Sequence, residues 1–90
     1  DIPGLVDFWP PWCGPCRAMA PAYEQAAALL EPGVRVAKLD TEQAPRLPAG
    51  LNIRSTPTLS LFRGGREVAR QPGALMRAAD IAAWVARNRP

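Results

Sequence analysis

Eleven prolines in ninety residues limit where regular structure can run, because each fixes φ and removes a backbone N–H. Pro10-Pro11 ends the apolar run Leu5-Val6-Asp7-Phe8-Trp9, which reads as a buried strand with Asp7 as its anomaly. Beyond them the period changes. Cys16, Met19, Ala20, Tyr23, Ala27 and Leu30 recur at three- and four-residue steps, the core stripe of an amphipathic helix. Pro15 falls in its first turn, where a missing N–H is harmless; Pro21 lies inside it and predicts a kink; Pro32-Gly33 stops it. Val34 to Asp40 reads as a second strand, and a helix between two strands predicts parallel pairing through a right-handed crossover. Pro45, Pro48 and Gly50 leave room for only a short, poorly formed helix between Thr41 and Asn52. Thr58 to Arg63 and Arg66 to Arg70 flank Gly64-Gly65, a hairpin signal. Gln71-Pro72-Gly73 breaks the chain again, and Ala78, Ile81, Trp84, Val85 and Asn88 mark a last helix with Asp80 and Arg87 outward. The order β-α-β-α-β-β-α describes an α/β fold. It is a four-stranded sheet with flanking helices, in a single domain over residues 1–90, since a second core would need roughly another 50 residues.

Several chemistries are closed off. Histidine is absent, so no Ser-His-Asp or Cys-His nucleophile and no imidazole metal site can be built. The net charge of +3 arises from ten Arg and one Lys scattered among eight acids, without the blocks that mark nucleic-acid binding. No run approaches the ~20 apolar residues of a membrane span, and the first residues lack a basic–apolar–small leader pattern. Neither nucleic acid nor membrane is expected as a partner.

The only two cysteines, Cys13 and Cys16, enclose Gly14-Pro15 where the first strand meets the helix. A zinc knuckle needs four ligands, so within one chain it is nearly closed; a metal shared between two chains stays open. A purely structural disulfide would close too small a loop to constrain the unfolded chain much. Two inert core thiols are a further reading. The redox-active pair is favoured by placement: a thiol at a helix N-terminus meets unpaired N–H groups and the positive end of the macrodipole. Both lower its pKa from about 8.5. Cys13, the outer residue, is then the nucleophile toward a target disulfide, and Cys16, one turn inside, resolves the mixed disulfide. Gly14 allows another chain to approach closely, and Pro15 stiffens the turn between the sulfurs.

Trp12-Cys13-Gly14-Pro15-Cys16, preceded by Val6-Asp7-Phe8-Trp9, resembles the active-site segment of thioredoxins. Ala20-Pro21, Val36-Ala37-Lys38-Leu39-Asp40, Ile53-Arg54-Ser55-Thr56-Pro57-Thr58, Phe62-Arg63-Gly64-Gly65 and Gly73-Ala74-Leu75 match in order and spacing, so the likeness covers nearly the whole chain. Thr41-Glu42 and Ile53-Arg54-Ser55 are similar to a bacterial subgroup that carries a zinc-binding N-terminal extension.

The resemblance implies a role for each matching residue. Asp7 resembles the family's buried carboxylate beneath the inner cysteine, a proton acceptor for Cys16; its plainer alternative is a water-bonded acid at a sheet edge. Lys38 resembles the lysine that tunes this carboxylate, against a simple snorkelling side chain. Pro57 matches the cis-proline opposite the cysteines, against an ordinary strand-initiating proline. Trp12 is expected as an exposed ring that shields the disulfide and contacts partners, against simple packing. Trp9 is expected to support the core beside the site, while Trp84, Tyr23 and Met19 read as core. Thr56, Gly73 and Ala74 are expected at the rim of a substrate groove, although Gly73 also suits a plain turn.

The likeness implies the minimal four-stranded mixed sheet of the thioredoxin-like fold. It also implies a protein-disulfide reductase without a cofactor of its own, acting on disulfide-containing proteins, re-reduced by a flavin-dependent thioredoxin reductase, and located in a bacterial cytoplasm. A disulfide oxidase or isomerase, or a non-catalytic binding module of the same fold, are the alternatives. The Gly-Pro dipeptide favours the reductase.

The sequence also departs from the family. Pro10 and Pro11 stand where thioredoxins place at most one proline; Thr56 replaces an apolar residue; Pro72 removes a donor near the groove; Pro48 should shorten the intervening helix. Twelve residues precede Cys13, far fewer than thioredoxins usually place there, so the family's first strand and helix are expected to be missing. The Val34–Asp40 strand would then lie at a sheet edge and invite pairing with another chain; the protein is expected to be a monomer, or self-associating through that edge.

Overall fold

The computed structural model describes residues 2–89. Strand β1 (Gly4–Trp9) enters helix α1 (Gly14–Leu30), followed by β2 (Arg35–Asp40), the one-turn α2 (Arg46–Gly50), the hairpin β3 (Thr58–Arg63) and β4 (Arg66–Pro72), and helix α3 (Ala78–Asn88). Each agrees with the sequence expectation to within a residue or two, β4 running two residues further than its run implied.

The sheet order is β2-β1-β3-β4. β1 pairs parallel with β2 and antiparallel with β3, and β3 pairs antiparallel with β4. Strand alternation gives β1 two faces. Leu5 and Asp7 share a side with Leu61 and Leu59, their partners on β3; Val6 and Phe8 face the other way. The main core lies on the first side, where Leu5, Leu59 and Leu61 pack with Met19, Tyr23 and Ala26 of α1 and Ile81, Trp84 and Val85 of α3. Burying such side chains stabilises by roughly 1.5–3 kcal/mol each. β2 is an edge strand with Arg35, Ala37 and Lys38 exposed.

Two expectations about packing are corrected. The buried stripe of α1 runs through Cys16, Met19, Ala22, Tyr23 and Ala26, with Ala20, Ala27 and Leu30 only half-buried. α3 packs alongside α1, so the buried face turns toward α3, which the periodicity of α1 alone does not register. Tyr23, read as plain core, also carries a polar function: its hydroxyl donates to the carbonyl oxygens of Ala37 at 2.6 Å and Leu5 at 3.3 Å, tying β1 to β2. Burial, and then the nearby Asp7 charge, push its pKa well above the usual tyrosine range.

The Thr56-Pro57 peptide bond is cis, as the resemblance implied, and so is Glu31-Pro32, which nothing in the sequence marked.

Candidate functional site

The chain turns from β1 into α1 through Pro10, Pro11 and Trp12. Neither proline can donate, but both accept: Cys13 N–H bonds to the Pro10 carbonyl at 3.2 Å and the Arg17 guanidinium to that of Pro11 at 2.8 Å. Arg17 drew no attention in the sequence; a cation one residue beyond Cys16 is its only local signal. These bonds fix the turn that delivers Cys13 to the N-cap of α1, with extended backbone (φ −84°, ψ 111°).

Cys13 and Cys16 form a disulfide with their Cα atoms 5.3 Å apart. The Cys16 N–H points at the Cys13 sulfur from 3.2 Å. This is the capping arrangement in which a side-chain acceptor satisfies an orphan helix donor, with sulfur in place of oxygen. No acidic residue lies in the first turn of α1 to oppose the field of its N–H groups. In the reduced state that field favours a thiolate at Cys13 over a thiol.

Residue exposure does not separate the two cysteines, each only 4% accessible. The difference is one of neighbours. Cys13 is flanked by Trp12, 69% exposed, and by exposed Gly14, whereas Cys16 belongs to the buried stripe of α1. Around Gly14 no atom would lie within 4 Å of an added Cβ, so open space adjoins the disulfide. Pro15, also exposed, stiffens the first turn.

Opposite, the Cys13 sulfur lies 3.6 Å from the Thr56 carbonyl oxygen. A disulfide sulfur carries no proton, so this is a contact in the oxidised form and a donor–acceptor pair for the thiol. Pro57 is buried, and its carbonyl accepts from the Gly73 N–H at 2.9 Å. Gly73 has φ +89°, a region that disfavours a side chain, so the backbone at this bend favours glycine. Ala74 follows, half-buried against the core.

Asp7 is 1% accessible. Among the described residues neither carboxylate oxygen has a hydrogen-bond partner, and neither does the buried indole nitrogen of Trp9. Burial pushes the Asp7 carboxyl up to about 6, with the Lys38 charge pulling in the other direction. Lys38 sits beside Asp7 in the β1–β2 register, yet its ammonium lies over the Trp9 ring, 4.8 Å from the centroid, and forms no ion pair with Asp7 among the described residues. Its charge opposes the rise of the Asp7 pKa without a direct contact, and Lys38 itself is exposed. Trp9 itself is half-buried.

The structure thus brings Cys13, Cys16 and the Thr56 carbonyl together, and joins Pro57 to Gly73. Among the described residues no group of three metal-ligating side chains could hold an ion, and no helix is long and apolar enough to cross a membrane. A sulfur pair capping a helix N-terminus beside an exposed aromatic ring and open space makes an arrangement suited to exchanging electrons with another disulfide.

A family model described as Thioredoxin matches residues 1–87. The chain is 45% identical over 75 residues to "Thioredoxin 1" of Nostoc sp., covering 83% of this chain and 70% of that protein. It is 49% identical over 85 residues to "Thioredoxin C-3" of Corynebacterium nephridii, covering 94% of this chain and 57% of that one. With "Thioredoxin" of Rhodospirillum rubrum it shares 42% over 85 residues, 94% and 81% of the two lengths.

Proposed function

Because this chain belongs to the thioredoxin family, it is a thiol–disulfide oxidoreductase of the protein-disulfide reductase type, and we propose that Cys13 opens the substrate disulfide while Cys16 completes the cycle. The Cys13 thiolate attacks one sulfur of the substrate, forming a mixed disulfide and releasing the other sulfur as a thiolate. Asp7 takes the proton of the Cys16 thiol. The Cys16 thiolate then attacks the Cys13 sulfur, restoring the Cys13–Cys16 disulfide and releasing the second substrate sulfur. Two electrons pass from the protein to the substrate, which leaves as a dithiol.

Lys38 moderates the acidity of Asp7. An extended substrate segment lies along Trp12, Gly14 and Pro15 on one side and Thr56, Pro57, Gly73 and Ala74 on the other. Disulfide-containing proteins are the substrates, a flavin-dependent thioredoxin reductase returns the two electrons, and the cytoplasm is the compartment where that cycle maintains redox balance.

The observation that carries this reading is the Cys16 N–H aimed at the Cys13 sulfur from a helix N-terminus. Reduction of insulin disulfides with dithiothreitol as electron source tests it. Cys13→Ser should abolish turnover, and Cys16→Ser should trap substrate on Cys13 as a stable mixed disulfide. Trapping on Cys16 in the Cys13→Ser chain would reverse the assignment.

A further inference from the structure

The segment from Leu51 to Pro57, which supplies one side of the groove, has no regular structure between α2 and β3. Its start is held from an unexpected direction. The Arg70 guanidinium on β4 donates to the Leu51 carbonyl at 2.6 Å and to that of Asn52 at 3.3 Å, eighteen or nineteen residues away in the chain. These carbonyls close α2, where helix acceptors lack partners of their own. Asn52 has φ +59°, a left-handed conformation that a non-glycine residue holds only when its surroundings impose it.

Arg70 is itself fixed. Its Nε and a terminal nitrogen donate to the two Glu67 carboxylate oxygens at 2.7 and 2.6 Å, the bidentate geometry with the strongest orienting effect. Glu67 also accepts from the hydroxyl of Ser60 at 2.7 Å, and Ser60 is fully buried on β3, opposite Arg70 in the hairpin register. The strut therefore starts in the sheet interior and ends on the backbone five residues before Pro57.

Beyond Asn52, the Ile53 N–H bonds to the Pro48 carbonyl and the Thr58 hydroxyl to the Ser55 carbonyl. The far end is anchored by the Gly73 N–H on the Pro57 carbonyl and by the pairing of Thr58 in β3, so the path of residues 53–56 between the two anchors depends also on where the segment begins.

We propose that Arg70 is a positioning residue for the substrate groove: braced by Glu67 and Ser60, it fixes the Leu51–Asn52 backbone and so sets where Thr56 and Pro57 meet a bound substrate strand. This rests on the reading of that segment as the groove wall. Lysine cannot replace it fully, since a point charge lacks the planar fork needed to hold a carboxylate and two carbonyls at once.

The test compares wild type, Arg70→Gln and Arg70→Lys with two disulfides of different size. Insulin needs the groove; hydroxyethyl disulfide, too small to span it, reports the cysteine pair alone. The glutamine variant should raise KM for insulin roughly three- to tenfold with little change in kcat, leaving the hydroxyethyl disulfide rate unaltered. Amide hydrogen exchange at residues 53–56 should quicken in parallel, and Arg70→Lys should recover only part of the loss. Unchanged insulin kinetics in Arg70→Gln, or an equal loss with both disulfides, overturns the strut while leaving the reading of the site intact. A wild-type chain unable to reduce either disulfide overturns both.

Discussion

Replacing Asp7 with asparagine should make the protein more stable and less active at once. The carboxyl is 1% accessible and has no hydrogen-bond partner among the described residues, and its pKa rises from an ordinary 3.8 to about 6. Between pH 4 and pH 6 the folded chain therefore retains a proton that the unfolded chain releases. Stability falls as pH rises through that window and stays at the lower level above it. A shift of about two units, at ~1.4 kcal/mol each, places ~3 kcal/mol of destabilisation at pH 8. Asparagine has nearly the same shape and no charge, and it faces the same lack of partners as the protonated acid, so that contribution cancels. Asp7→Asn should thus gain ~2–3 kcal/mol at pH 8 and almost nothing at pH 4. Urea unfolding of the disulfide form at pH 4, 6 and 8 measures this as a shift in midpoint at constant slope. On the proposed role of Asp7 as proton acceptor for Cys16, disulfide reduction by the same variant should slow. A gain in stability of equal size at every pH, or none at pH 8, would refute the argument that ionisation of a buried acid is the cause.

Other perturbations probe the neighbouring groups. Reduced Cys13 should alkylate with iodoacetamide at pH 6 roughly three times or more faster than glutathione, because the helix end favours its thiolate; parity with glutathione would remove the basis for a thiolate stabilised by the helix end. Lys38→Met removes the positive charge that lowers the Asp7 pKa, so the Asp7 carboxyl should titrate above 6 in a carbon-detected NMR titration; an unmoved midpoint would exclude action through the field. Gly73→Ala meets no atom within 4 Å but must hold φ +89°, so denaturant unfolding should show a loss of about 1–2 kcal/mol. An unchanged midpoint would mean that the backbone there relaxes freely.

What the sequence made legible is local. The run Leu5 to Trp9, the Cys13–Cys16 spacing at a change of period, and Gly64-Gly65 between two β-forming runs each place an element by the chemistry of adjacent residues. Pro45, Pro48 and Gly50 limited α2 to one turn for the same reason. The parts that escaped are contacts between distant positions. Arg70 and Glu67 look like ordinary alternating charges on a hairpin until the fold places Leu51 and Asn52 beside them. The Tyr23 hydroxyl, bridging carbonyls of two strands, is indistinguishable in sequence from an aromatic core residue. The partial burial of Ala20 and Ala27 depends on where α3 packs, and the periodicity of α1 contains no information about α3. Lys38 was placed beside Asp7 by resemblance, but its position over the Trp9 ring depends on register and rotamer.

The contacts around the proposed groove are chiefly main-chain ones, and this decides how the sequence departures act. Thr56 meets Cys13 through its carbonyl, so a polar side chain there leaves that contact unchanged and alters only what a substrate side chain would touch. Pro72 lacks an N–H, yet the donor that reaches Pro57 comes from Gly73, one residue on. Pro10 and Pro11 forfeit two donors, but their carbonyls supply the acceptors that hold Cys13 and Arg17. Each substitution therefore acts on groups that the redox chemistry does not use. The side chains that cannot vary on the proposed mechanism are those whose own atoms would carry electrons or protons, Cys13, Cys16 and Asp7, together with those that hold backbone in an unfavourable conformation. Activity toward small disulfides should accordingly survive exchange of Thr56 for valine, while the ranking of protein substrates shifts; a matching loss with both classes would place the Thr56 side chain in the chemistry itself.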